Sequence, residues 1–228
     1  MTHKSWLSGA AVLRRNYSDL TFCPQNVAPD LAESKQRTLA RLGPALDRFK
    51  VYHSGTYSAE TAPYADAGLL PTEFDKLTEA AFLANDEERI YVTLNAEEHV
   101  VIQARGPADR LESLAAKARG MEETLRDPQH PFAFHERFGF LSYRPQLSGS
   151  GLYLTLTLHL PMLSFIKQIR RQDSVMDEYG CELKPLGGNP SFNPSRLFTL
   201  TNASSQGMDD RQVLEAVLAS GEALDAKE

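Results

Sequence analysis

Hydrophobic and polar residues alternate in the second half of the chain, which is the period-two pattern of β-strands. In the segment 152–160, leucine alternates with tyrosine, threonine and histidine, so the leucines are expected to face a core. Two runs rich in β-branched residues, 89–95 and 99–104, are separated by Ala-Glu-Glu, which predicts a β-hairpin. Further strands are predicted at 138–143, 181–186 and 196–202.

Apolar residues spaced three and four apart predict helices before and between these strands. Pro107 follows Gly106 and is suited to open one of them, because the fixed φ of proline fits the first turn of a helix. The predicted helices are 34–49, 72–85, 107–126, 162–179 and 209–220.

The order of these elements, helices first and then β-β-α-β-β-α-β-β-α, predicts the fold class. Hairpin pairs separated by helices favour an α+β fold, in which a mostly antiparallel sheet is flanked by helices. Residues 1–72 are expected to form a small helical N-terminal lobe, and residues 73–228 the α+β domain.

Charge and cysteine content narrow the function classes. The 24 Lys and Arg residues against 30 Asp and Glu give a net charge of -6, which argues against binding to nucleic acids or anionic membranes, because both need a basic surface. Cys23 and Cys181 are too few for a disulfide framework, lack the spacing of a metal site and are expected to be buried packing residues. No signal peptide or membrane-spanning segment is recognisable, so a cytoplasmic location is expected.

Several short motifs, in the same order along the chain, resemble those of the phosphagen (guanidino) kinases. The segment 95–103, Asn-Ala-Glu-Glu-His-Val-Val-Ile-Gln, is similar to the NEEDHxRI segment of that family. The segment 132–142, the Gly-Ser-Gly-Leu of 149–152 and the His-Leu-Pro that ends the next strand resemble the run through its GTGLR loop. Phe-Thr-Leu-Thr-Asn at 198–202 is similar to its FxISN strand. The likeness is closest to the bacterial protein-arginine kinases, and it implies the fold of a guanidino-kinase catalytic domain.

The resemblance implies a reaction, the transfer of the γ-phosphoryl group of ATP to a guanidinium, in which Mg²⁺ and a set of arginines neutralise the triphosphate. By the resemblance, these arginines would stand at five positions, which here hold Ala10, Val12, Val101, Tyr153 and Lys184. Arg144 stands at the family's reactive cysteine, and Asn189 at a glutamate of its last turn. Binding of ATP in the manner of the family is therefore not expected.

Two acidic residues of the first motif remain. By the resemblance, Glu97 falls on the family's catalytic carboxylate, which orients and deprotonates the guanidinium, and Glu98 replaces the neighbouring aspartate. A buried carboxylate is suited to act as a general base. The alternative is that both glutamates form an exposed hairpin tip, and this alternative is favoured because no partner for them is evident.

Other candidates for phosphate binding carry less weight. Ser150 and Gly151 belong to a glycine-rich loop without the lysine of a P-loop, so the loop is either a phosphate cradle or, as we favour, a flexible connection. Arg14, Arg15 and Arg144 could supply replacement charge. A solvated surface is expected for the first two, and a salt bridge within the loop for Arg144.

Three functions follow as hypotheses. The favoured one is a bacterial pseudokinase without a cofactor, a regulatory or protein-binding module that pairs with an active protein-arginine kinase, a chaperone-protease component or a second copy of itself. The second is an atypical ATP:guanidino phosphotransferase that uses ATP and Mg²⁺, with Glu97 as base and Lys184, Arg144 and Arg14 or Arg15 as phosphate ligands. The third is a protein that binds a guanidinium through the two glutamates without nucleotide.

Overall fold

The structure is a computed structural model that describes residues 4–22, 28–55, 59–71, 73–166, 168–169, 172–186 and 193–228. The strands, numbered along the chain, are β1 (Trp6–Arg15), β2 (Lys50–His53), β3 (Ala81–Asn85), β4 (Ile90–Leu94), β5 (Val100–Gly106), β6 (Phe134–His135), β7 (Gly139–Phe140), β8 (Leu152–His159), β9 (Cys181–Pro185) and β10 (Leu197–Asn202). The helices are α1 (Ala28–Leu42), α2 (Ala62–Asp66), α3 (Leu111–Leu125), α4 (Pro161–Phe165), α5 (Gln172–Glu178) and α6 (Asp210–Asp225).

Eight of these strands form one sheet in the order β2-β3-β4-β5-β1-β8-β10-β9. Every neighbouring pair in it is antiparallel. Strands β6 and β7 form a separate two-stranded hairpin. Helix α3 packs on β1 and β5, and helix α6 packs on β8 and β10. The predicted α+β fold with an antiparallel sheet flanked by helices is confirmed.

Alternation along the strands gives the sheet two unlike faces. Leu13, Ile102 and Leu154 are fully buried in the main core, on the side that α3 and α6 cover. The opposite side, here called the open face, carries Val12 and Arg14 of β1 together with the side chains that lie opposite them in the neighbouring strands. This face is where the side chains of the candidate site are found.

Leu69, Leu70 and Phe74 cover the outer part of the open face, over β3 and β4. Leu69, Leu70 and Phe74 are buried there and pack with Phe82 and Tyr91 in a second hydrophobic cluster. Strand β3 is therefore enclosed from both sides, and all of its residues are buried.

This enclosure explains why the helix predicted at 72–85 was wrong. A 3₁₀ turn occupies Phe74–Lys76, and Ala81–Asn85 is strand β3. A short apolar run that is buried on both faces of a sheet has no period of two, so its spacing cannot be distinguished from that of a helix.

Two other elements are shorter than predicted. The helix predicted at 162–179 is described as two short helices, α4 and α5, with residues 167, 170 and 171 outside the described part. The strand predicted at 138–143 is reduced to β7. The predicted helices at 34–49, 107–126 and 209–220 correspond to α1 with the 3₁₀ turn Gly43–Arg48, to α3 and to α6.

The helical N-terminal lobe predicted for residues 1–72 differs from the structure at its first element. Residues 6–15 are strand β1, which lies between β5 and β8 near the middle of the sheet, and β2 joins the same sheet at its edge. The sheet is therefore shared across residue 72. Helices α1 and α2 do lie in this part of the chain.

The two strongest strand predictions are confirmed. The hairpin consists of β4 and β5, with Ile90 opposite Ala104. In β8, Leu152, Leu154, Leu156 and Leu158 are fully buried, as their alternation predicted. No helix within the described ranges is long and apolar enough to cross a membrane.

Candidate functional site

The five positions assigned by resemblance to phosphate-binding arginines all lie on the open face. Val12 is opposite Tyr153 of β8, and Val101 of β5 is opposite Arg14. Ala10, two residues before Val12, shares its face because strand side chains alternate. Four of the positions, on the adjacent strands β5, β1 and β8, therefore lie close together, and three of these four are aliphatic.

Lys184 lies on the same face but far from the others. It belongs to the edge strand β9, and four strand spacings of about 4.8 Å, about 19 Å in all, separate β9 from β5. Its side chain is 66% exposed and is paired with Glu182. Its charge is therefore directed to solvent and to a neighbouring carboxylate.

Glu98 is not part of an exposed hairpin tip, contrary to the favoured prediction. It is 1% exposed, and its carboxylate accepts hydrogen bonds from Asn16 Nδ2, from Ser142 Oγ and from the amide of Tyr143. Asn16 Oδ1 in turn accepts a hydrogen bond from the amide of His99 at 2.9 Å. Glu98 therefore ties the end of β1 to the β4–β5 turn and to the loop after β7.

Glu97 differs from its neighbour, because its side chain is 51% exposed and contacts a cation on the open face. Its Oε2 lies 3.8 Å from Nη2 of Arg14, whose side chain is 20% exposed. The guanidinium of Arg14 also lies over the ring of Tyr153, with its central carbon 5.0 Å from the ring centroid. Arg14 is thus not a solvated surface residue, and the structure brings it to the candidate base.

A cavity of about 200 Å³ opens beside this pair. Its apolar walls come from Val12, Val101, Leu69 and Leu70, and its polar lining includes Arg14, Thr93, Glu97 and Gln103. Residues 68–71 form one side of it. The cavity therefore combines a charged pair with an aliphatic surface.

Side chains of β5 hold the segment 67–71 against the sheet. The guanidinium of Arg105 donates to the carbonyls of Ala67 at 2.7 Å and of Gly68 at 3.1 Å. The amide of Gln103 donates to the carbonyl of Leu69 at 3.3 Å. Three consecutive carbonyl groups are thus bound by two side chains of one strand, and this fixes the wall of the cavity.

Arg15 points away from the site, into the closed side of the molecule. It is fully buried, and its Nε donates to Glu122 Oε1 at 2.5 Å. Arg119 bridges the other oxygen of Glu122 to Asp210. The prediction of a solvated surface was wrong for Arg15, because its place in β1 alternates with that of Arg14 and directs it to the opposite face.

The charges of this buried pair support each other. Burial lowers the pKa of Arg15 to about 10, which still leaves it protonated at neutral pH. Burial also opposes ionisation of Glu122, but the charges and hydrogen bonds of Arg15 and Arg119 outweigh it and hold the pKa of that carboxyl below its ordinary value. Arg15 is therefore a structural residue rather than a phosphate ligand.

The glycine-rich loop is ordered, and its amides are already used. The amides of Gly149 and Ser150 donate to the carbonyls of Phe140 and Ser205, at 3.1 and 3.2 Å, and that of Gly151 donates to Ser205 Oγ at 3.1 Å. A phosphate cradle needs free amide groups. The loop is thus neither such a cradle nor a flexible connection.

The remaining candidate residues that the structure describes do not line the cavity beside Arg14 and Glu97. Arg144 is exposed, and no ion pair with another described residue is formed by it, contrary to the predicted loop salt bridge. Cys181 is 1% exposed, and burial raises the pKa of its thiol, as expected of a packing residue. Cys23 and Asn189 lie outside the described residues. Within the described ranges, no group of three His, Cys, Asp or Glu side chains is placed to hold a metal ion.

Sequence reasoning missed three contributors to the cavity: Thr93, Gln103 and the segment 68–71. The alternation of β5 could have placed Gln103 beside Val101. The segment 68–71 could not have been found in this way, because nothing in its own composition shows which part of the sheet it covers.

Comparisons with known proteins agree with this fold. The sequence model of the family described as ATP:guanido phosphotransferase, C-terminal catalytic domain, matches residues 30–228. A protein-arginine kinase of Staphylococcus aureus is 28% identical over 149 residues, which are 65% of this chain and 44% of that protein. The chain thus spans less than half the length of the curated relatives it matches.

Solved structures show the same fold. The duplicated taurocyamine kinase of Schistosoma mansoni, with bound transition-state analogue components, superposes with a TM-score of 0.83 at 16% identity, over 97% of this chain and 32% of that one. Lombricine kinase superposes with a TM-score of 0.81 at 16% identity, over 100% of this chain and 69% of that one. With the family match over most of its length, the chain belongs to the ATP:guanido phosphotransferase family.

Proposed function

We propose that this chain is a pseudokinase: a guanidino-kinase fold that no longer binds ATP with Mg²⁺ or transfers phosphate, and that acts as a regulatory or protein-binding module. The observation that carries the proposal is the content of the open face. At the family's five phosphate-binding positions it holds Ala10, Val12, Val101, Tyr153 and Lys184.

The physical argument concerns charge. A triphosphate needs several fixed cations, and each arginine that contacts a reacting phosphoryl group typically contributes a few kcal/mol to transition-state stabilisation. Val12 and Val101 would instead place phosphate oxygens against hydrocarbon, where a charged group loses its hydration without compensation. The residues present therefore do not fit the family's nucleotide.

The candidate replacement cations Arg14, Arg15 and Lys184 are not gathered at Glu97. Arg14 is within 3.8 Å of it, whereas Arg15 is buried with Glu122. Lys184 lies on the edge strand β9, which is four strand spacings, about 19 Å, from β5. Among the described residues, the alternative of an atypical phosphotransferase with Glu97 as base has one cation in an ion pair with that base, where the family uses a set of them.

The alternative of a guanidinium site at Glu97 faces a different obstacle. The guanidinium of Arg14 already stands beside that carboxylate, so a second guanidinium would be brought next to a like charge. Glu98 is occupied by three hydrogen bonds from the protein. Neither glutamate is therefore a free guanidinium acceptor.

The test of the proposal is a phosphotransfer assay with free arginine and with an arginine-rich protein as acceptors, alongside the protein-arginine kinase of Staphylococcus aureus as the active reference. No phosphoarginine should form above background. Two lysine variants distinguish phosphotransfer by this chain from phosphotransfer by a contaminating kinase. Lys184→Ala and Lys76→Ala remove equally exposed lysines, 66% and 67%, each paired with a glutamate two or three residues away. Activity that Lys184→Ala abolishes and Lys76→Ala retains would establish the phosphotransferase instead.

The partner of such a module is a protein, and three candidates follow: a second copy of this chain, an active protein-arginine kinase, and a chaperone-protease component. Mass measurement by light scattering tests self-association. Titration of the chain into an active protein-arginine kinase, with its rate as readout, tests regulation. A monomer that leaves that rate unchanged would contradict the pairing with itself and the pairing with the active kinase.

A further inference from the structure

Three polar side chains that line the cavity have unused hydrogen-bonding capacity. Nε and Nη1 of Arg14 are buried without a hydrogen-bond partner, and so is Oγ1 of Thr93. No hydrogen bond from the described part of the chain reaches the carboxylate of Glu97, whose neighbour is Arg14. Nε and Nη1 of Arg14 and Oγ1 of Thr93 are closed to the cavity as well as to solvent. A ligand in the cavity would therefore meet the remaining polar groups of the pair, Nη2 of Arg14 and the carboxylate of Glu97.

The geometry of the charged pair leaves room for that ligand. Nη2 of Arg14 and Oε2 of Glu97 are 3.8 Å apart, beyond the distance of a hydrogen bond. The pair is neutral as a whole, yet it presents a cation and an anion side by side. A ligand with one charge of each sign, separated by a similar distance, matches both.

The walls of the cavity indicate what the uncharged part of the ligand is. Val12, Val101, Leu69 and Leu70 supply aliphatic surface, and the cavity has a volume of about 200 Å³. A small aliphatic side chain suits this space. A long or charged side chain would have no partner among these walls.

We propose that this cavity binds a zwitterionic α-amino acid with a short aliphatic side chain. Its carboxylate accepts a hydrogen bond from Nη2 of Arg14, its ammonium group donates to Glu97, and its side chain lies against Val12 and Val101. The inference goes beyond the proposed loss of phosphotransfer and does not depend on it, because it rests on the pair and the cavity.

Ligands with a single charge fit less well. A carboxylic acid without an amine would satisfy Arg14 but bring a second negative charge beside Glu97. An amine without a carboxylate would bring a second positive charge beside Arg14. Like charges at these distances repel, so both ends of the zwitterion are needed.

The test is isothermal titration of the chain with L-valine, with isovalerate, which lacks the ammonium group, and with isobutylamine, which lacks the carboxylate. Saturable binding of L-valine is expected, and each analogue should bind at least about tenfold more weakly, a difference of about 1.4 kcal/mol. If isovalerate binds as tightly as L-valine, the ammonium group is not recognised, and the proposal of a zwitterion site is overturned in favour of an anion site. Absence of saturable binding by L-valine would overturn the site altogether.

Variants of the pair locate the binding. Arg14→Met and Glu97→Gln should each weaken L-valine at least about tenfold, while the exposed residues Arg144 and Glu87 serve as controls through Arg144→Met and Glu87→Gln. Thermal unfolding of each variant confirms that it is folded. Binding that both pair variants retain would contradict the proposal. A separate titration with ATP and Mg²⁺ tests the proposed loss of nucleotide binding. Its result does not affect the conclusion about the amino acid.

Discussion

Arg15 and Glu122 form a buried ion pair that joins β1 to α3, with both side chains at most 1% exposed. Removal of one partner leaves the other charge buried, which typically costs about 3–5 kcal/mol. Arg119 also binds Glu122 and partly compensates the loss. We therefore expect Arg15→Met to lower the free energy of unfolding by about 3 kcal/mol, measured by urea denaturation.

The double variant Arg15→Met/Glu122→Leu is the matched control for that experiment. It removes both charges and leaves Arg119 paired with Asp210, so it should lose clearly less stability than the single variant. Equal losses in the two variants would show that packing around Arg15, rather than its charge, stabilises the fold.

His99 makes a prediction about pH. Its ring is fully buried, with Nδ1 accepting from the amide of Tyr17 and Nε2 bonded to the carbonyl of Thr21, both at 3.1 Å. Burial disfavours the charged ring and lowers its pKa from 6.5 to about 4. As the pH falls from 6.5 to 4, the unfolded state therefore binds a proton that the folded state does not, and stability is lost.

The loss attributable to His99 is about 3 kcal/mol across that interval, since one pKa unit corresponds to 1.36 kcal/mol. The variant His99→Asn should flatten the dependence of unfolding free energy on pH between 4.5 and 6.5, measured in urea at each pH. The exposed His135 provides the comparison, because His135→Gln should keep the native slope. A native slope in His99→Asn would place the titrating group elsewhere.

At the level of elements, the wall of the cavity depends on two side chains of β5. Arg105 binds the carbonyls of Ala67 and Gly68, so Arg105→Met should release the segment 67–71 from the sheet. We expect faster amide hydrogen exchange in peptides covering 64–71 and unchanged exchange in β8, measured by mass spectrometry.

Arg211→Met is the control for this experiment. Arg211 is 84% exposed and paired with Glu215 on α6, and its replacement should leave exchange in the segment 64–71 as in the native chain. Unchanged exchange there in Arg105→Met would show that the hydrophobic contacts of Leu69 and Leu70 alone hold the wall.

The elements differ in how far their sequence determines them. Segment 152–160 alternates because one face of β8 is covered by core and the other is not, so its pattern was sufficient. Segment 81–85 has no such contrast, because Phe82 and Ala84 lie in the second cluster while Ala81 and Leu83 lie in the main core. Its conformation is decided by Leu69, Leu70 and Phe74, which cover it only in the folded chain.

The candidate site was predictable in part for the same reason. The family resemblance assigned Val12, Val101 and Tyr153 to phosphate-binding positions, and the sheet register brings these three residues to one face. The contrast between Arg14 and Arg15 required knowledge that both belong to one strand. The burial of Glu98 depends on Ser142 and Tyr143, which come from a loop more than 40 residues away.

Across the whole molecule, β1 is the strand on which the sheet depends most. It joins β5 on one side and β8 on the other, although the family match begins only at residue 30. A chain that lacks residues 1–16 would expose two unpaired strand edges and lose the core contacts of Ala11 and Leu13. We expect it to show no cooperative thermal transition by circular dichroism. A cooperative transition near the native temperature would contradict this role of β1.

The central claim is that the open face no longer provides a nucleotide site, and calorimetric titration of the folded native chain with ATP and Mg²⁺ tests it most directly. The account predicts no saturable heat at millimolar nucleotide, because Val12, Val101 and Tyr153 replace guanidinium groups on that face. Saturable binding in the micromolar range, about 8 kcal/mol of binding free energy, would contradict the account and assign the chain to the active members of its family.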